Sequence, residues 1–141
     1  MLVRLLYASR CAEGTCAGVI DAILQQARRH NPELGLTGVL CHGGDVFMQV
    51  LEGGRAEVNR MYAQIARDSR HRDVTLLHLE EIAERCYASW TMGQVNLAKV
   101  NPSTLLKYSD RPALDPFALS GRTSIALLQE LIATASIIGR A

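Results

Sequence analysis

Residues 34–54 decide the fold, and they read Leu34-Gly-Leu-Thr-Gly-Val-Leu-Cys-His42, Gly43-Gly-Asp45, Val46-Phe-Met-Gln-Val-Leu-Glu52 and Gly53-Gly54. Two apolar runs flank a short glycine-rich turn, which predicts an antiparallel hairpin with strands at Leu34–His42 and Val46–Glu52. Successive side chains of a strand point to opposite faces, so Phe47, Gln49 and Leu51 share one face. That face is therefore apolar except for the single amide of Gln49.

The chain before the hairpin predicts a strand and a helix. Leu2–Ser9 is a short run of β-compatible residues and predicts a first strand. The segment after it predicts a helix, because one stripe of residues recurs at steps of three or four: Ile20, Ile23, Leu24, Ala27 and Asn31. Proline lacks a backbone N–H and disfavours helical geometry in the preceding residue, so we expect Pro32 to end this helix at Asn31.

The chain after the hairpin predicts one more helix and two more strands. We expect the helix at Ala56–Asp68, a polar loop at Asp68–Asp73, and strands at Val74–Ile82 and Tyr87–Leu97. The order β-α-β-β-α-β-β is typical of the α+β class, with a ferredoxin-like sheet and two helices on one face. We therefore expect one domain over residues 1–97.

Residues 98–141 are expected to form a C-terminal helical extension. We predict a short helix at Ser103–Tyr108, irregular chain at Asp110–Ser120, and an amphipathic helix at Ser124–Ile137 that stops at Gly139. This tail is too short to build its own core. It must therefore pack on the free face of the sheet or on a partner.

Composition and charge argue against several kinds of partner. Lys and Arg total 15 and Asp and Glu total 14, so the net charge of +1 removes the usual argument for a nucleic-acid or acidic-membrane surface. No run approaches the roughly 20 apolar residues that a bilayer span needs, and the first residues do not resemble a signal peptide. We therefore expect a cytoplasmic protein that binds neither nucleic acid nor membrane.

The sequence indicates neither a metal site nor an enzymatic nucleophile. Cys11, Cys16, Cys41 and Cys86 contain no CxxC pair and lack zinc-finger spacing, so we expect four reduced thiols and no metal. We find no phosphate-binding glycine loop and no evident nucleophilic triad. The chain is therefore not expected to be an enzyme.

Three polar residues stand where apolar ones are expected. Tyr7 lies on the first strand, Gln49 on the third, and Asn31 closes the first helix. In a split β-α-β sheet the first and third strands are neighbours, so the Tyr7 and Gln49 side chains could converge between the helices. Such a set matches a ring that presents alternating C=O, N and N–H groups. A buried Gln or Tyr taken alone is more often a satisfied core group, but three converging polar groups are harder to satisfy without a ligand.

Six short motifs carry a family resemblance. They are Arg4-Leu-Leu-Tyr7-Ala-Ser9, Arg28-x-x-Asn31, Leu36-Thr-Gly38-Val-Leu40, Phe47-x-Gln49-x-Leu-Glu-Gly53, Asp68-x-Arg70-His71 and Trp90-Thr-Met92. In this order and spacing, across residues 2–97, the chain resembles the BLUF family of flavin-binding blue-light sensors. The tail Leu106-Lys-Tyr-Ser109 is similar to that of short BLUF proteins with two C-terminal helices and no output domain. The resemblance implies two helices that hold a flavin, which would be FAD, with FMN or riboflavin as alternatives.

The resemblance implies that Tyr7 and Gln49 carry the photochemistry. Light makes the flavin a strong oxidant, and Tyr7 would supply an electron and a proton. Gln49 would bridge Tyr7 and the C4=O/N5 edge of the flavin, and its amide would end rotated or tautomerised, with a small red shift in absorption. Trp90 and Met92, predicted on one face of the last strand, would compete for a place near the flavin and relay the signal. The alternative is that both are ordinary core residues.

The resemblance also implies which residues hold the cofactor. Asn31 would bind the pyrimidine edge of the flavin, and Arg70 would lie near the pyrimidine or the ribityl phosphate. Many relatives have Ser at the position of Ala27, so one polar contact to the ring edge is lost. Phosphate contact would come from Arg28, Arg67 or Arg70. The expected cofactor-binding set is Tyr7, Ile23, Leu24, Ala27, Arg28, Asn31, Gln49, Asp68, Arg70, His71 and Met92.

Two other functions stay open at this point, an RNA-binding module and an interaction module that does not sense light. RNA-recognition domains of similar strand order need exposed aromatic residues and positive charge, and both are scarce here. For a photoreceptor without an output domain, we expect signalling through changed association with a downstream protein that the sequence does not identify. A homo-oligomer is also expected, because the free face of the sheet needs cover.

Overall fold

The predicted hairpin is the centre of a five-stranded sheet. In the computed structural model, which describes residues 1–12 and 16–134, strands β2 (Thr37–Gly43) and β3 (Val46–Gly54) pair antiparallel around Gly44. The φ angle of Gly44 is +56°, a left-handed conformation that glycine adopts without steric cost. Strand β1 (Leu2–Cys11) pairs antiparallel with β3 on its other side.

The remaining elements complete an α+β fold in the predicted order. They are α1 (Cys16–Leu34), α2 (Arg55–Arg67), β4 (His71–Ile82), β5 (Gly93–Asn96), a 3-10 turn at Leu97–Lys99, α3 (Pro102–Leu106), a 3-10 turn at Pro116–Ala118, and α4 (Gly121–Thr134). The strand order is β4-β1-β3-β2-β5, and β2 pairs with β5 in parallel. The predicted ferredoxin-like class is therefore confirmed. Among the described residues, no helix is long and apolar enough to cross a bilayer.

Helix α1 continues past the residue at which the sequence predicts its end. It includes Pro32 and runs to Leu34, three residues beyond Asn31. Pro32 lies in the last turn, where its missing N–H removes a single helical hydrogen bond. Gly35 follows the helix directly with a φ of +67°, which suits glycine, and the Leu36 N–H donates to the Asn31 carbonyl at 3.0 Å.

The last strand is much shorter than predicted. Of the predicted Tyr87–Leu97, the structure forms a strand only at Gly93–Asn96. The N–H groups of Cys86 and Tyr87 donate instead to the buried carboxylate of Glu52, at 3.1 and 2.7 Å. Residues 83–92 therefore form an irregular connecting segment. The prediction that Trp90 and Met92 lie on one face of a strand is wrong, because both belong to this segment.

Two apolar clusters cover the two faces of the sheet. The cavity-side cluster lies under α1 and α2 and includes Val3, Leu5, Tyr7, Ile20, Leu24, Leu36, Phe47, Leu51, Val58 and Met92. The α4-side cluster lies on the opposite face and includes Leu6, Val39, Met48, Val50, Val95, Leu105, Leu127, Leu128 and Leu131. The tail therefore packs on the free sheet face, as one of the two predicted options. Residues 135–137 of the predicted last helix and Gly139 lie outside the described residues.

Packing of α4 removes the reason for which a homo-oligomer was expected. The side chains of Leu127, Leu128 and Leu131 are at most 1% exposed, so α4 itself covers this face of the sheet. Homo-oligomerisation therefore stays a prediction, and the need to cover this face of the sheet no longer supports it.

The prediction of four reduced thiols is wrong for one pair of cysteines. Cys11 and Cys16 form a disulfide, with their Cα atoms 5.9 Å apart. Cys41 and Cys86 are free thiols. The expectation of reduced thiols follows from the expected compartment, whereas the fold brings the end of β1 and the start of α1 within disulfide distance.

Candidate functional site

A cavity of about 120 Å³ lies between the two helices and the sheet. Eight residues of the predicted cofactor-binding set line it: Tyr7, Ile23, Ala27, Asn31, Gln49, Asp68, Arg70 and His71. Three others of the set, Leu24, Arg28 and Met92, do not line it directly. Leu24 packs in the cavity-side cluster, and Arg28 donates to the Met92 carbonyl at 3.3 Å.

Tyr7 and Gln49 are paired neighbours in the cavity wall. They are directly opposite in the register of β1 and β3, so both side chains lie on the cavity face of the sheet. The Tyr7 hydroxyl donates a hydrogen bond to the Oε1 atom of Gln49. Tyr7 is fully buried, and burial raises the pKa of its phenol well above the ordinary value. The phenol is therefore neutral at physiological pH and available as a donor.

The Gln49 amide connects Tyr7 to the irregular segment 83–92. Its Nε2 atom donates to the Sδ atom of Met92 at 3.3 Å. A thioether is a weak acceptor, so this bond holds the amide less firmly than an oxygen acceptor does. Gln49 can therefore exchange its Nε2 partner at low energetic cost.

Asn31 carries a buried polar atom without a partner among the described residues. Its Nδ2 atom donates to the Thr91 carbonyl at 3.2 Å, while its Oδ1 atom accepts no hydrogen bond there. An unsatisfied buried acceptor costs about 1–3 kcal/mol and is rare in native structures. Asn31 lines the cavity, so this oxygen points to a ligand that brings an N–H donor.

A charged loop closes another side of the cavity. The Asp68 carboxylate accepts from the Arg70 backbone N–H at 2.9 Å and from its guanidinium at 2.6 Å. Hydrogen bonds from Arg70 lower the pKa of Asp68, so the carboxylate is charged at neutral pH. Arg70 also donates to the Gln26 Oε1 atom at 3.2 Å, which links this loop to α1.

His71 is the first residue of β4 and not part of the predicted polar loop. Strand β1 extends to Cys11, which pairs with His71 and draws it into the sheet. The His71 Nδ1 atom is 2.8 Å from the Ser9 hydroxyl, and its ring meets the Phe47 ring edge-on at 5.4 Å. Burial lowers the pKa of His71, so the ring is neutral at physiological pH.

Trp90 lies on the opposite side of the sheet from the cavity. Its ring stacks on that of Tyr87, with centroids 5.9 Å apart, and it packs against the α4-side cluster. Met92 packs in the cavity-side cluster instead. In this structure Met92 is therefore the neighbour of Gln49.

Several cavity residues were missing from the predicted set. They are Gln26, His30, Leu51, Met61, Gln64 and Ile65. Leu51 shares a strand face with Gln49, and Met61 and Ile65 lie on the buried stripe of α2, so their periodicity could have identified them. His30 and Gln26 are exposed residues of α1 at the cavity rim, and the sequence gives no comparable signal for them.

An α+β domain with a Tyr–Gln pair and an unsatisfied amide oxygen around one cavity offers the hydrogen-bonding groups that a heteroaromatic ring requires, which points to a class of ring-binding domains. The model of the family described as BLUF, "Sensors of blue-light using FAD", matches residues 2–93. The chain belongs to the BLUF family of blue-light flavin sensors. The aromatic residues of β1 and β3 are buried, so the described part of the sheet lacks the exposed platform that an RNA-binding module needs.

Known relatives share this domain in two contexts. The chain is 37% identical over 92 residues to the photoactivated adenylate cyclase subunit beta of Euglena gracilis; this match covers 64% of the chain and 11% of that protein. It is 32% identical over 77 residues to the blue light- and temperature-regulated antirepressor BluF of Escherichia coli, covering 55% of the chain and 19% of that protein. The chain thus spans a small part of these curated relatives.

Two solved structures match over nearly their whole length. The photo-activated state of BlsA superposes with a TM-score of 0.85 at 30% identity, covering 96% of this chain and 99% of that one. The dark state of BlrB, a BLUF protein, superposes with a TM-score of 0.77 at 32% identity, covering 94% and 95%.

The cavity residues fit a flavin. The pyrimidine part of a flavin ring presents an N–H between two carbonyl groups, and the Asn31 Oδ1 atom is an acceptor in need of such a donor. The side chains of Ile23, Met61 and Ile65 supply the apolar wall that a ring face requires.

Proposed function

We propose that this chain is a light receptor in which Tyr7 and Gln49 carry the photochemistry of a bound flavin, and that this flavin is FAD. The observation that supports this is the hydrogen bond from the Tyr7 hydroxyl to Gln49 Oε1 at the wall of the cavity. When bound and excited by blue light, a flavin supplies a strong one-electron oxidant.

Tyr7 is suited to lose an electron and a proton together. Its buried phenol is neutral, and a phenol that loses an electron becomes strongly acidic. The proton can move along the existing hydrogen bond towards Gln49 Oε1. When electron and proton return to Tyr7, the Gln49 amide is free to keep a new orientation or tautomer. The low cost of leaving Met92 Sδ favours that rearrangement.

The remaining residues of the predicted set hold the cofactor in this proposal. Asn31 accepts from the pyrimidine N–H, while Ile23 and Ala27 contact the ring. Leu24 supports this side from within the cavity-side cluster. Asp68 orients Arg70, and Arg70 and His71 border the pyrimidine or phosphate side. Arg28 and Met92 support this wall through their mutual hydrogen bond.

Signal output is proposed to occur by changed association with another protein, without a reaction catalysed by this chain. BlsA and BlrB match the chain over 99% and 95% of their lengths, so little of either lies outside the shared fold. The segment 83–92 is the proposed route from Gln49, since Met92 accepts the Gln49 hydrogen bond while Trp90 packs on the α4 side. Homo-oligomerisation, a downstream partner and a cytoplasmic location stay predictions. Gel filtration in the dark and under blue light, with a partner pull-down, tests the first two.

Flavin content and difference absorbance test the proposed function. The chain is expressed with flavin present, and the bound flavin is released and identified by chromatography. We expect bound FAD and a reversible red shift of the absorption under blue light. A correctly folded chain that takes up no flavin contradicts the proposal, and so does a flavin-loaded chain whose spectrum is unchanged by light.

A further inference from the structure

A disulfide joins the end of β1 to the start of α1. Cys11 is the last residue of β1 and Cys16 the first of α1. Cys11 is 2% exposed, whereas Cys16 is half-buried at the margin of the cavity-side cluster. A small thiol reagent from solution therefore reaches the sulfur of Cys16 first.

The disulfide lies next to the cavity wall on the sheet side. Cys11 pairs in register with His71, and the N–H of Ala12 donates to the Arg70 carbonyl at 3.0 Å. Both Arg70 and His71 line the cavity. The covalent bond thus anchors the first residue of α1 to the strand end that carries this wall.

Helix α1 is attached differently at its two ends. Its C-terminal part is held by hydrogen bonds. Asn31 Nδ2 donates to the Thr91 carbonyl at 3.2 Å, and Arg85 donates to the carbonyl of Gly35, just after the helix, at 2.7 Å. Its N-terminal part is held by the apolar contacts of Ile20 and Leu24 and by the disulfide. Reduction would leave this half with apolar contacts as its main attachment to the sheet.

We propose that Cys11 and Cys16 are a reversible oxidative modification site whose redox state controls how firmly α1 closes the cavity. The oxidant is a disulfide of a low-molecular-weight thiol, R–S–S–R. The Cys16 thiolate attacks it, forms a mixed disulfide and releases one R–SH; the Cys11 thiolate then displaces the second R–SH. Two S–H bonds and the R–S–S–R bond are replaced by one protein disulfide and two R–SH, so two electrons and two protons pass to the reagent. A dithiol reverses both steps.

The other two cysteines do not compete for this role. Burial raises the pKa of the Cys41 thiol to about 12, so it stays protonated and a poor nucleophile. Cys86 is exposed, and its Sγ atom accepts from the Arg4 guanidinium at 3.0 Å, on the far end of the sheet from Cys11. Cys86→Ser is therefore a matched control that removes a reactive thiol but keeps the proposed pair.

The consequence for the cofactor rests on the proposed function, because it assumes that flavin occupies the cavity. Residues Ile23, Ala27 and Asn31 of α1 line that cavity. A helix fixed at both ends slows opening of the cavity, so we expect flavin to dissociate about fivefold more slowly from the oxidised protein, at the lower end of typical coupling between sites.

The test compares the full chain after oxidised glutathione with the same chain after dithiothreitol. Alkylation under denaturing conditions and peptide mass mapping identify the disulfide, and hydrogen exchange measures protection of the first turns of α1. We expect a Cys11–Cys16 bond only after oxidation, and stronger protection of α1 with it. Neither readout needs flavin, so both remain decisive if the chain binds none. Flavin release is then measured on loaded protein.

Two results would overturn the proposal. If no peptide with a Cys11–Cys16 disulfide is found after oxidation, the proposed site is refuted. Equal α1 protection in both redox states, with the disulfide formed, refutes control of the helix. The double variant Cys11→Ser/Cys16→Ser must lose the response to oxidant, and Cys86→Ser must keep it; the opposite pattern assigns the response to Cys86 and rejects the pair.

Discussion

Glu52 and Asn31 are buried polar residues on opposite faces of the sheet, and their hydrogen bonding differs. On the α4 side, the Glu52 carboxylate is fully buried but accepts hydrogen bonds from Arg4 and from the backbone of Cys86 and Tyr87. On the cavity side, Tyr7 and Gln49 line the cavity, and the Asn31 Oδ1 atom accepts no hydrogen bond from the described residues. A buried carboxylate with several donors is a structural element, whereas a buried acceptor that lines a cavity and lacks a donor points to a ligand.

Replacing Tyr7 by Phe is expected to have the largest effect, and this effect is expected on the photochemistry alone. The variant keeps the ring that packs in the cavity-side cluster but loses the hydroxyl that donates to Gln49. We expect flavin binding to persist and the light-induced red shift to disappear, as measured by difference absorbance.

Tyr62 supplies the matched control for that variant. Its ring lies 5.8 Å from that of Tyr7, so Tyr62→Phe removes a neighbouring hydroxyl while leaving the Tyr7–Gln49 bond intact. We expect a normal red shift. A full shift in Tyr7→Phe would show that Tyr7 is not the electron donor.

A substitution on the α4 side of the sheet is expected to change stability and to leave the light-induced red shift unchanged. Leu128 is completely buried in the α4-side cluster, so Leu128→Ala is expected to lower the free energy of unfolding by about 3 kcal/mol. Urea denaturation measures this, and the folded variant should keep its red shift. Leu106→Ala, at a side chain that is 50% exposed, is the control and should change little. Loss of photochemistry in a folded Leu128→Ala protein would contradict the division between the two faces.

Asn31 tests whether its oxygen belongs to the ligand. Asn31→Ala removes an acceptor that no described residue uses, together with one bond to the Thr91 carbonyl. We expect flavin to bind about tenfold more weakly, which corresponds to one hydrogen bond of about 1.4 kcal/mol. Titration of the flavin-free chain measures the affinity. Unchanged affinity, with a large loss of stability in the flavin-free chain, would make Asn31 a structural residue instead.

The smallest expected effect concerns the charged loop beside the cavity. Hydrogen bonds from Arg70 depress the pKa of Asp68 in the folded protein, so this carboxylate stabilises the fold above its unfolded-state pKa. That contribution is lost as the pH falls through the lower, folded-state pKa. We expect Asp68→Asn to cost about 1 kcal/mol or less at pH 7, and the difference from the parent to vanish in acid. Urea unfolding from pH 7 to well below the unfolded-state pKa of Asp measures it, and a difference independent of pH would argue against the ion pair.

Local patterns predicted the parts of the fold that depend on alternation and helical spacing. Strand alternation placed Phe47, Gln49 and Leu51 on one face, and the register of β1 and β3 then brings Tyr7 opposite Gln49. The end of α1 and the extent of the last strand were predicted wrongly. Pro32 is tolerated in a final turn, and the N–H groups of Cys86 and Tyr87 bond to a carboxylate that is distant in sequence. No short-range pattern reports such partners.

The sequence alone determined the class of the fold, the face on which Tyr7 and Gln49 meet, and the resemblance to flavin-binding light sensors. These follow from backbone periodicity and from residue types at fixed spacing, which are local properties. Tertiary structure alone decided that Met92 accepts the Gln49 hydrogen bond while Trp90 packs on the α4 side, that α4 covers the free face, and that Cys11 meets Cys16. Each of these depends on how separate segments pack, because a segment's neighbours are chosen by the burial and hydrogen bonding of the whole domain.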